Sequence, residues 1–133
     1  MSTKARNILG WTLAVLNLLL LGASATDKII GSQHALAMGA SFGLSAEAYR
    51  VLGIIELASA ILFVFPRTAI LGFLLLSSYM GGAIATHLQH HEPIGFPTGI
   101  EMFIWIIAVL RFPEVTARLR GLGSRIAADS YAA

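Results

Sequence analysis

The chain has 133 residues, enough for one domain; 56% of them are hydrophobic and only 12% charged, and the mean hydropathy is +0.77. Soluble domains carry about 25% charged residues, so this composition excludes a water-soluble globule and makes the lipid bilayer the solvent. No cysteine is present, which rules out disulfides, thiolate nucleophiles and Cys-bound zinc or iron–sulfur clusters, while the formal charge of +2 and the pI near 9.4 come from basic residues at the ends of apolar runs, a pattern that suits anionic lipid and not nucleic acid.

Four apolar segments follow one another: Ile8 to Ala25, Ala46 to Phe65, Ala69 to His87 and Gly99 to Phe112. A spanning helix needs about 20 residues, with a range of roughly 17 to 25. The first three qualify, and the fourth must borrow from the Pro93 to Thr98 turn, tilt little or thin the bilayer. The first opens on Lys4 and Arg6 and closes on Ala23-Ser24-Ala25, a pattern shared with cleaved signal peptides; Trp11, Thr12 and Asn17 in its core argue for a retained helix.

Between the first and second segments, Thr26 to Leu44 mixes Asp27, Lys28 and His34 with glycines and apolar residues, and is expected on the membrane surface or partly re-entrant. Ser45 is placed to cap the second helix, with Glu47 complementing its dipole. Pro66, Arg67 and Thr68 leave room only for a tight turn, which makes the second and third segments an antiparallel hairpin. After Pro113, the spacing of Val115, Leu119, Leu122 and Ile126 predicts a short interfacial helix, against which Gly121 and Gly123 count. The expected fold class is therefore all-α: a four-helix transmembrane bundle over residues 1–112 and a cytoplasmic tail over 113–133. Lys4, Arg6, Arg67, Arg111, Arg118, Arg120 and Arg125 fall on one side and Lys28 and Arg50 on the other, which places both termini in the cytoplasm.

Inside these runs the polar residues carry the functional information. An acidic group at a helix centre costs roughly +2.5 to +3.5 kcal/mol on insertion scales, so Glu56 must face the interior, protonated, hydrogen-bonded or paired. Helical spacing puts Gly53, Glu56 and Ala60 on one stripe, matched by Gly10, Ala14, Asn17 and Ser24 on the first helix, Gly72, Tyr79, Gly82 and Thr86 on the third, and Glu101, Trp105 and Ala108 on the fourth. Asn17, Glu56 and Tyr79 fall near their helix centres, and Thr86, His87 and Glu101 toward the outer face, which predicts a polar pocket opening outward. Arg50 lies about 9 Å above Glu56 along the helix, free to snorkel outward or to turn in toward a carboxylate.

Structural readings of the same residues compete with the functional ones. Asn17, Ser77, Ser78 and Thr86 suit interhelical hydrogen bonds. Thr98 to Glu101 reads as a T-x-x-E capping box. His87 and His91, four apart, are spaced to share a metal with Glu92, Glu101 or His34, but the run ends at Pro93 and suits a solvated helix terminus; no metal site is expected. His87, one turn deeper, is the better proton-exchanging partner, because imidazole titrates near neutral pH.

The stretch "RVLGIIELASAILFVFPRTAILGFLLLSSYMGGAIATHL" resembles the central hairpin of the DoxX-like membrane proteins, in which a G-x-x-E-L helix, a short turn and an apolar helix ending in a G-A-x-x-T-H-like pattern follow one another. The matching positions are Gly53, Glu56, Leu57, Gly82, Ala83, Thr86 and His87, and Asp27-Lys28-Ile29 looks like that family's lysine element. The resemblance extends over most of residues 8 to 112 and implies a compact bundle of four transmembrane helices in a bacterial inner membrane. Members have been linked to quinone-dependent sulfur oxidation and redox-protective membrane complexes, and distant eukaryotic relatives assist receptor assembly, so the fold hosts unrelated functions. Cysteine-dependent chemistry is not inherited, and the tail after Phe112 has no family counterpart.

Residues and resemblance together lead us to expect an inner-membrane accessory protein whose pocket binds a quinone or similar amphipath in support of a redox system. Glu56 and His87 handle protons or bond ligand carbonyls, Tyr79 and Trp105 line the pocket, and Glu101 and Asn17 complete it. Catalysis is left open, and electron transfer requires a membrane redox partner; a homo-oligomer is the other expected association. Two alternatives stand beside this reading. One is an assembly or structural subunit docking other transmembrane proteins, sensitive to enlargement of Gly53 or Gly82. The other is proton- or metal-coupled transport along Glu56 and His87.

Overall fold

The computed structural model describes residues 1–121. They form helices α1 (Thr3–Ile30), α2 (Gln33–Ser41), α3 (Ala46–Val64), α4 (Ala69–Gln89), α5 (Gly95–Arg111) and α6 (Pro113–Leu119), with no strand among the described residues. The all-α expectation holds. By length and composition, α1 with 28 residues and α4 with 21 can cross a membrane.

Local chemistry sets the helix ends. Ser2, Ser32 and Ser45 cap α1, α2 and α3 by accepting from the amides of Ala5, Ala35 and Ala48 at 3.2, 3.0 and 3.1 Å. Helix α1 runs past Ala25, because nothing breaks it before Gly31, whose φ of 73° lets its N–H close on the Asp27 carbonyl at 3.0 Å. The stretch Thr26 to Leu44 is thus not one continuous segment. It is the last turn of α1 followed by a separate short helix, α2.

Helix α5 does borrow from the preceding turn. It starts at Gly95 and holds Pro97 in its first turn, where a missing N–H costs nothing. Thr98 consequently lies inside the helix, its amide bonded to the Ile94 carbonyl at 3.0 Å, so the T-x-x-E capping box does not form. Helix α6 follows with Pro113 in its first turn and ends before Gly121, φ 70°. Val115 packs on the core, while Leu122 and Ile126 of the expected interfacial helix lie outside the described residues.

The four longer helices pack in a cycle, α1 on α3, α3 on α4, α4 on α5 and α5 on α1, with α2 against α1 and α3. One end of this assembly is closed. There Phe63, Phe73 and Phe112 stack with centroids 6.2 to 6.4 Å apart, and Leu76, Ile104 and Ile107 are fully buried beside them. Gly72 makes the α3–α4 crossing tight: a Cβ there would collide with the Phe63 backbone nitrogen. Arg111, which its position after an apolar run places among exposed loop charges, is instead drawn into this end. Its guanidinium donates to the Phe63 and Val64 carbonyls at 2.6 and 2.9 Å and stacks over the Trp11 ring at 4.5 Å. The carbonyls left unpaired at the C-terminus of α3 thereby find a cationic donor. The outer faces carry Leu19, Ile54, Leu74 and Met102, each more than half exposed, an apolar surface that suits hydrocarbon.

Gly72→Ala should therefore destabilise by about 1–3 kcal/mol through overpacking against backbone. Gly99→Ala, whose Cβ meets nothing within 4 Å in the helix α5, should be neutral or stabilising by up to about 1 kcal/mol. Thermal unfolding of both variants in detergent checks the contrast.

Candidate functional site

At the end opposite Arg111 the helices enclose a cavity of about 660 Å³. Its walls are mostly apolar, with Leu21, Leu52, Met80 and Ile100 among them, and α2 lies over it with Ala35 and Met38. That cover is held by close packing: a Cβ on Gly39 would come within 2.9 Å of the Tyr49 ring, so glycine lets α2 settle onto α3. Phe42, just after α2, stacks on His87 at 4.7 Å and on His90 at 5.8 Å, tying α2 to the end of α4.

The polar centre of this cavity is an ion pair. Lys28 Nζ lies 2.6 Å from Glu56 Oε2 and donates also to Ser24 Oγ at 2.9 Å, while Glu56 is only 1% exposed. Side chains lean toward the N-terminus of their own helix. Lys28, in the last turn of α1, therefore descends into the bundle, and Glu56 on antiparallel α3 leans up to meet it. Gly53 makes the meeting possible, since a Cβ there would lie 2.8 Å from Lys28 Cβ and 2.9 Å from the Ala25 carbonyl. The Tyr49 and Tyr79 rings flank the ammonium at 5.7 and 5.8 Å, and the Tyr79 hydroxyl reaches Glu56 Oε2 at 3.4 Å. Glu56 and Ser24 occupy two of the ammonium's three donors, which leaves one for a ligand.

Of the residues expected to bind the ligand, Glu56, Tyr79 and His87 line this cavity, together with Ser24, Ser78 and Thr86 of the polar stripes and interhelical candidates. His87 stands two turns beyond Tyr79 on α4, about 12 Å along the helix. Its Nδ1 donates to the Ala83 carbonyl at 2.8 Å, so in the neutral ring Nε2 is the acceptor. Glu101, Trp105 and Asn17 do not line the cavity. Glu101 accepts from Ser77 on α4 and from Trp105 Nε1 at 2.8 Å, and the Trp105 ring sits edge-on to Phe73 at 4.9 Å. Asn17 is fully buried in the α1 core face, with no hydrogen-bond partner for either amide atom among the described residues. Arg50 does not turn in toward a carboxylate; it donates to the Ile29 carbonyl at 3.1 Å, near the end of α1.

Helix α4 stops at Gln89 and His91 takes a φ of 58°, so His87 and His91 do not share a helical face. Among the described residues no group of three or more His, Asp or Glu side chains is arranged to hold a metal ion. The residue missing from the sequence-derived site is Lys28. The sequence reading puts it in the segment after the first apolar run, and the signal that finds it is the uninterrupted helical run to Ile30, which carries it one turn beyond Ser24 on the same stripe.

Removing one member of a buried pair strands the other, so Lys28→Met alone should cost about 3–5 kcal/mol. The double variant Lys28→Met with Glu56→Leu should recover most of that loss. A double-mutant cycle by thermal unfolding in micelles measures the coupling; additive losses would show that the pair is not energetically joined.

No curated protein and no solved structure matches the chain. The two membrane-length helices and the apolar outer surface are those of a membrane protein. The profile of the DoxX-like family matches residues 12–110, a span that holds α3 and α4 entire with Lys28 and Glu56, and the chain belongs to the DoxX-like family.

Proposed function

We propose that this protein is an inner-membrane accessory protein of four membrane-crossing helices whose cavity binds a quinone-like or similarly amphipathic small molecule in support of a redox system. Helices α3 and α5 join α1 and α4 as spans, and both termini lie in the cytoplasm. The distribution of charge supports that orientation: Lys4, Arg6, Arg67 and Arg111 gather at the closed end, whereas at the opposite end Lys28 is turned inward and Arg50 is left.

One observation carries the binding reading. A paired ammonium and carboxylate, too costly to keep in hydrocarbon for packing alone, stand on the wall of a largely apolar cavity. A flat ring bearing carbonyls fits that chemistry. The free N–H of Lys28 donates to a carbonyl, the Tyr79 hydroxyl and His87 offer further polar contacts, and Met38, Phe42, Met80 and Ile100 supply apolar walls. Quinones carry electrons and protons together; the residues here bind, orient and hold protons. Electrons come from and go to a membrane partner.

Binding is better supported than transport, because the closed end is filled by Phe63, Leu76, Ile104 and Ile107, none more than 1% exposed, which leaves no continuous path past Glu56. Of the two glycines named for docking other transmembrane segments, Gly53 faces Lys28 within the chain, while Gly82 is open and borders the cavity.

In detergent, a short-chain benzoquinone should bind the purified protein, and Lys28→Met should weaken it by about 10- to 100-fold, the worth of a hydrogen bond to a charged group. Glu56→Gln should weaken it as well and, in cells, reproduce the respiratory or stress phenotype of deleting the gene. Absence of binding together with an intact phenotype in Glu56→Gln would remove the proposal.

A further inference from the structure

The cavity does not stop at the inward faces of its helices. Its lining includes Ser78 and Gly82, both exposed on α4, and Leu20 and Phe96, which are 44% and 71% exposed on α1 and α5. At 1.5 Å per residue, Ser78 and Gly82 lie about 14 and 20 Å along α4 from Ala69, so an α4 that crosses the membrane exposes them to hydrocarbon and not to water.

The two edges differ in what fills them. Toward α1 and α5 the cavity ends on the large side chains of Leu20 and Phe96. Along α4 it ends on a hydroxymethyl group and a hydrogen atom, and a Cβ built on Gly82 meets nothing within 4 Å. Gly82 lies one turn beyond Tyr79, whose hydroxyl reaches Glu56, so this gap leads directly to the polar centre.

A water-soluble ligand gains nothing from an opening at this depth. For a lipid-soluble one, the opening lets a polar ring reach Lys28 while an apolar tail stays in hydrocarbon, with no desolvation of either end. Each methylene also favours the membrane, which concentrates a tailed ligand where the opening lies.

Resting on the cavity reading above, we infer that the ligand is a membrane-borne amphipath whose ring occupies the cavity and whose apolar tail leaves between Ser78 and Gly82 on α4 into the surrounding lipid.

The test uses the full chain in lipid nanodiscs and two probes: 2,3-dimethoxy-5-methyl-1,4-benzoquinone and the same ring carrying a decyl tail with a terminal diazirine. Gly82→Leu should weaken the decyl probe by about tenfold relative to wild type and leave the tail-less ring within about twofold. Ser78→Leu, at an exposed position, asks the same question if Gly82→Leu does not fold. Photolysis should place the tail's label on α4 around Ser78 and Gly82. If both probes weaken together, if neither weakens, or if the label falls on α2 or on Leu20 and Phe96, the lateral exit is wrong. The cavity reading fails separately, when Lys28→Met leaves binding of the tail-less ring unchanged.

Discussion

The contact on which the functional end of the molecule depends is the pairing of Lys28 with Glu56 across α1 and α3. Either charge alone inside an apolar bundle would carry a desolvation cost of several kcal/mol that no packing gain at that site offsets. Together they attract in a weakly screened environment, Ser24 takes a second donor of the ammonium, and two tyrosine rings flank it. Much else follows from letting them meet. Gly53 is bare so that α1 can approach, α1 runs on to Ile30 so that the lysine hangs over the pocket, and Tyr79 is carried in by α4 to face the carboxylate.

The two ends of the molecule divide the work. At the closed end, aromatic rings, small residues and the Arg111 guanidinium pack the helices so tightly that α3 and α4 touch through backbone at Gly72. This end supplies rigidity. At the other end the same helices hold a cavity, and α2 lies over it between Gly31 and Gly43, whose φ values of 73° and 68° only glycine adopts without strain. A solid base beneath a hollow polar site is what binding needs, because the charged groups are held in place before any ligand arrives.

Much of this was legible before any coordinates. Four apolar runs, the Pro66 turn, the Ser45 cap and the inward direction of Glu56 follow from propensity, helical period and the cost of charge in hydrocarbon, and all are rules of local chemistry. The inclusion of Gly95 to Thr98 in α5 is one of the three ways that the sequence left open to the short fourth run. Glu56 and Tyr79 were found because helical period aligns them with small residues, and His87 because it lies one turn deeper than the histidines at the helix end. Trp105 and Glu101 satisfied the same period, yet they face each other and Ser77 across the α4–α5 contact, because period fixes a face and not the neighbour it meets.

What the sequence by itself determined, then, is an apolar all-α chain with a carboxylate that cannot face lipid, since composition and period act within single helices. Tertiary structure alone decided the partner of that carboxylate, the residues excluded from the cavity and the bare stretch of α4 at its side. The physical reason is distance: Lys28 and Glu56 are 28 positions apart, and only the glycine-permitted approach of two helices makes them 2.6 Å neighbours.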